Sequence, residues 1–184
     1  MKASDVMTSP VRAADDAAID VATNEGMPVH AEPVPMSQDE FASLLNQLLE
    51  AERAGAKLLA VYLDELSPES DVLTRLRVIQ RDEARNCAVL NHLLLEAEIK
   101  PSTSTGDFYR KGLAIRGWSE RLEFLNRGQA WVARRIAAAL PRIPGSAATE
   151  ALQAMHESHV VNIRACEGLL GAGTPGQAVS SNAR

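Results

Sequence analysis

Four stretches of this chain repeat apolar residues at the three- and four-residue spacing of an amphipathic helix, and each is interrupted once, mid-stripe, by a polar side chain. With successive residues about 100° apart on a helical wheel, Phe41, Leu45, Leu48, Leu59, Leu63 and Leu66 fall within about 40° of Glu52. Val72, Leu76, Ile79, Leu90, Leu94 and Ala97 surround Glu83 in the same way, with Asn86 to one side. Ile115, Trp118, Leu122, Ala133, Ile136 and Leu140 surround Gln129, and Leu152, Met155, Ile163, Cys166 and Leu170 surround His159, with Asn162 nearly one turn on. Helices of this kind must bury their stripes against each other, so the polar residues are carried into the interior with them.

The punctuation between the stretches sets their order. Ser37 and Glu40 make the S-x-x-E pattern of a capping box, which starts a first helix near residue 38 that runs to about Leu66. "SPES" is a short turn, with Pro68 at an early position of a second helix over about 69–98. "IKPSTSTGD" breaks it, and a third segment covers about 107–140, weakened by Gly112 and Gly117 so that its first third reads as a separate short helix or part of a crossover. "PRIPGS" precedes a fourth helix over about 146–170. The expected fold is all-α, an antiparallel four-helix bundle over residues 37–170, between a disordered arm (1–36) and a disordered tail (171–184). Glu52 and Glu83 stand 31 residues apart, and Gln129 and His159 stand 30 apart, so both hairpins bring their polar residues to a similar depth. The outcome is one mid-bundle layer of Glu52, Glu83, Asn86, Gln129, His159 and Asn162.

Composition narrows the setting. A net charge of −5 argues against a nucleic-acid surface. No apolar run approaches the roughly 20 residues of a membrane span, and the first residues lack the apolar core of an export signal. Two cysteines make neither a disulfide framework nor a metal-binding cluster, which leaves a cytoplasmic protein with reduced thiols as the expectation.

Buried carboxylates need a counter-charge, a shared proton or a metal. On these residues the region 38–170 resembles the ferritin-like superfamily, whose redox members take one Glu from each of helices 1 and 3 and a Glu-x-x-His from each of helices 2 and 4. The resemblance sets Glu52 at the helix 1 ligand and Glu83 at the helix 2 acid, with Asn86 in the place of that motif's histidine. Gln129 replaces the helix 3 acid, while His159 and Asn162 take the places of the helix 4 Glu and His. LLEAERAGA, LNRGQ and H-x-x-N-I are also similar to an uncharacterised bacterial family assigned to that group. With two acids and one imidazole left, a dinuclear centre is not expected, because amides are weak, neutral ligands. Two readings remain. In one, Glu52, Glu83 and His159 hold a single Fe, Mn or Zn ion, with Asn86, Gln129, Asn162 and His156 around them, as in a non-haem metal oxidoreductase. In the other there is no metal, His159 neutralises the acids, and the bundle is a non-catalytic interaction or structural protein.

Other polar residues point elsewhere. Glu50, Glu120, Glu123 and Glu157 lie about 100–160° off the stripes and read as solvent or flank residues. Cys87 and Cys166 read as small buried hydrophobes, Tyr62 as packing, and His30 and His92 show no partner pattern. Leu113, Phe124 and Trp131 form a second apolar face on the third segment, to be covered either by homodimerisation through Phe124 and Trp131 or by the arm or the 99–112 segment.

Overall fold

A computed structural model describes residues 33–68, 70–143 and 147–172. Most of the expected arm and tail, and His30, lie outside the described residues. Among those described the chain is all-helical: α1 (Gln38–Asp64), α2 (Asp71–Glu96), α3 (Phe108–Leu113), α4 (Trp118–Ala139) and α5 (Ala147–Gly171), with a 3-10 turn over Leu140–Arg142 after α4.

The capping box forms as expected. The Glu40 backbone N–H donates to Ser37 Oγ at 3.2 Å, and the Ser37 N–H donates to the Glu40 carboxylate at 2.9 Å. Arg142 donates to both Glu40 oxygens and to the Val34 carbonyl, which ties the start of α1 to the end of α4. Pro68 lies in the turn rather than at an early helical position, because Ser70 is the N-cap of α2. The third segment breaks between Leu113 and Trp118, next to the two glycines that weakened it.

Between α2 and α3 the chain runs back along α1. Asn46, Glu50 and Arg53, spaced four and three apart on one face of α1, hold it. The Ser102 N–H donates to Asn46 Oδ1 at 2.6 Å, Ser102 Oγ donates to Glu50 Oε1 at 2.5 Å, and Arg53 donates to the Ser104 carbonyl at 2.8 Å. Glu50, read from the sequence as a solvent residue, is therefore half-buried under this crossover. α3 continues it, packing on α1 and α4, and the buried Tyr62 hydroxyl donates to the Gly112 carbonyl at 2.8 Å. Phe108 stacks on Phe124 with ring centroids 4.3 Å apart, so the crossover side covers that part of the second apolar face, while Leu113 and Trp131 stay exposed.

Among the long helices, α1 packs on α2 and α4, and α5 packs on α4 and α2. Their apolar side chains form two clusters. One joins Leu44–Leu49 of α1, Leu90–Leu94 of α2, Val132–Ala139 of α4 and Leu152 and Met155 of α5. The other joins Leu58–Tyr62 of α1, Val72–Ile79 of α2, Leu122 and Leu125 of α4, and Cys166 and Leu169 of α5. Every long helix passes from one cluster to the other, and the residues in between are Glu52 and Gly55, Glu83 and Asn86, Gln129, and His159 and Asn162. No helix among the described residues is long and apolar enough to cross a membrane.

Candidate functional site

All six residues expected in the mid-bundle layer are buried, none more than 5% exposed. Five of them, all but Asn162, are joined by hydrogen bonds. His159 Nε2 and Glu52 Oε1 share a hydrogen at 2.7 Å, and Asn86 Nδ2 donates to the other Glu52 oxygen at 3.0 Å. On the far side of the imidazole, Nδ1 lies 2.6 Å from Gln129 Oε1, an acceptor only, so Nδ1 carries a hydrogen and donates it. The same Gln129 donates through Nε2 to Glu83 Oε1 at 2.5 Å. The result is a relay, Glu52–His159–Gln129–Glu83, in which the amide keeps the second carboxyl off the imidazole.

One proton shared between Glu52 and His159 leaves that pair neutral overall. Glu83 has no such partner. Burial pushes its carboxyl well above the usual carboxylate range and the negative charge on Glu52 adds to this, while the hydrogen bond from Gln129 works in the opposite direction. Its Oε2 is buried and unbonded, as is Asn162 Nδ2. Gly55 makes room for the Glu83 carboxyl, since a Cβ there would lie 2.5 Å from both carboxyl oxygens. His156 is partly exposed and makes no hydrogen bond to the layer among the described residues.

The fit of a single ion to Glu52, Glu83 and His159 depends on where their lone pairs point. A histidine ligand turns one unprotonated nitrogen to the metal and donates from the other. Here Nδ1 is spent on Gln129 and Nε2 on Glu52, and Glu83 is reached only through the amide. Among the described residues no three His, Cys, Asp or Glu side chains converge as a metal site. As arranged, the donor set does not fit one ion.

A cavity of about 380 Å³, for which no periodic pattern carries a signal, ends on this layer. Glu52, Glu83, Gln129 and His159 lie at its polar end, and Ala51, Gly55, Leu125 and Val132 line its walls. Phe108, Trp131 and the exposed Gly106 and Asp107 line it toward the surface. Gly128 stands against Phe108, so a side chain there would push that ring away. The dimensions suit a small organic molecule.

The cysteines sit on opposite sides of the layer, Cys87 against the first cluster and Cys166 within the second. Burial pushes the Cys87 thiol up to about 11 and that of Cys166 to about 12, with Glu52 and Glu83 respectively adding to it. Neither is a thiolate nucleophile at neutral pH.

A second polar centre, at the α3 end of the second cluster, was not expected. Arg121 is 6% exposed and donates to both Glu65 carboxylate oxygens, at 2.6 and 3.3 Å, and to the Ile115 carbonyl at 2.9 Å. Its guanidinium lies 4.6 Å from the Tyr62 ring centre and 5.1 Å from that of Trp118. The rule that found Glu52 does not reach it, because Arg121 lies about 80° from Gln129 on the wheel, at the edge of the apolar stripe.

No curated protein and no solved structure matches the chain. Residues 39–167, a span that contains all four long helices almost entirely and every residue of the polar layer, match the family model described as a domain of unknown function, DUF6306, and the chain belongs to that family.

Proposed function

We propose that the protein binds a small organic molecule in the cavity between α1 and α4, with the hydrogen-bonded layer Glu52–His159–Gln129–Glu83 as its polar end. The observation that carries this is the coincidence of the cavity with the layer: four of the six layer residues line it. A layer serving only to fix helix register needs no approach from solvent. The architecture we propose for it is an antiparallel four-helix bundle of ferritin-like type. Its support is that each apolar cluster takes the N-terminal part of α1 and α5 with the C-terminal part of α2 and α4, or the reverse.

The competing reading is the single divalent ion held by Glu52, Glu83 and His159. It requires Glu52 and His159 to part, and Gln129 to release Glu83. The open Glu83 Oε2 is the one atom that favours it.

Thermal shift measurements with a set of aromatic and aliphatic fragments test the cavity. Compounds that raise the melting temperature should lose their effect in Ala51→Phe, whose ring fills the wall. A set with no binder, or stabilisation that survives in Ala51→Phe, contradicts the proposal.

A further inference from the structure

The charges around the cavity select among ligands. Its lining holds four carboxyl groups, Glu50, Glu52, Glu83 and Asp107, against one imidazole, and no lysine or arginine among the described residues lines it. Three of the four acids are occupied. Glu52 is spent on His159 and Asn86, Glu50 takes the Ser102 hydroxyl, and Asp107 pairs with Arg110 at 3.0 Å and Lys111 at 3.7 Å. Glu83 remains, 4% exposed, with Oε2 unpartnered and Oε1 held by a neutral amide. The neighbouring arginines are engaged elsewhere, Arg135 on Gln47 and Arg53 on the crossover backbone.

Without the proton that burial holds on Glu83, two carboxylates face one histidine, so a cation can take that proton's place. No lysine or arginine lining the cavity supplies that cation, and the apolar walls with the Phe108 and Trp131 rings suit an organic body rather than a hydrated ion. Resting on the pocket reading above, we infer that the ligand is a small organic amine. Its ammonium group sits on Glu83 Oε2, and its apolar or aromatic body lies between Leu125, Val132 and the Phe108 and Trp131 rings. Gly55 serves this arrangement, since it lets the Glu83 carboxyl reach the cavity wall without a Cβ in the way.

Titration calorimetry with three probes of similar shape tests the inference: 2-phenylethylamine, 2-phenylethanol and 3-phenylpropanoate. The amine should bind at least about tenfold more tightly than the alcohol, since a charge-assisted hydrogen bond replaces a neutral one, and the carboxylate should not bind. Glu83→Gln, which keeps size and the bond from Gln129, should bring the amine down to the level of the alcohol measured on the same variant. Equal affinity for amine and alcohol, or an amine affinity unaltered by Glu83→Gln, would overturn the amine assignment while leaving the pocket standing. Failure of all three probes to bind at millimolar concentration would overturn both.

Discussion

Glu83 and Gly55 are a matched pair, and each can be tested by a single substitution. A buried acid held neutral makes stability depend on pH in a definite direction. Because its folded-state pKa is raised, Glu83 binds its proton more tightly in the folded chain, so its favourable share of stability is complete below the ordinary carboxylate pKa. That share is lost as pH rises through the higher, folded value. Glu83→Gln removes the titration, so the variant should gain stability relative to the parent as pH is raised from about 5 to 8, read from chemical denaturation at each pH. A difference that stays constant across this range would show that Glu83 is not held neutral. Gly55→Ala should destabilise by about 1–3 kcal/mol, because its Cβ would meet the carboxyl oxygens at 2.5 Å. Gly168→Ala, in α5 with open space around it, should instead stabilise by about 0.5–1 kcal/mol. Melting temperatures that move in the same direction for both would contradict the close approach at Gly55.

At the scale of elements, the wheel and the turn residues predict the helices well, because both signals are local. Ser37 and Glu40 cap α1, and the segment weakened by Gly112 and Gly117 does break there. The six layer residues were legible for the same reason: a polar residue in an apolar stripe has nowhere to go but inward, and the burial of Glu52, Glu83, Asn86, Gln129, His159 and Asn162 follows. The bonds among them were not legible. Whether Gln129 bridges His159 to Glu83 depends on rotamers and ångström-scale spacing across helices, which a wheel does not carry. Glu50 was misjudged because its partner, Ser102, comes from a crossover whose path has no periodic signal. Arg121 belongs to this scale as well, since it joins α4 to the end of α1 and to the α3–α4 link. Arg121→Lys should cost about 1–3 kcal/mol, since a lysine ammonium cannot fork onto Glu65 while also reaching the Ile115 carbonyl. A melting temperature within a degree of the parent would show that Glu65 and the aromatic rings do not depend on the fork.

For the whole molecule, two apolar clusters are joined through a layer that satisfies nearly all of its own hydrogen bonds. Leaving Glu83 Oε2 and Asn162 Nδ2 open in such an interior is costly, and a cavity that Glu83 lines is where a ligand gives that cost a return. A layer that holds itself together through the Glu52–His159 proton and the Gln129 bridge has no need of an ion. Elemental analysis of tag-free protein, purified without chelator and then exposed to excess Fe, Mn or Zn before desalting, decides whether the layer holds one. The expected content is less than about 0.1 equivalent of each metal per chain. Close to one equivalent, lost on His159→Gln, would contradict it.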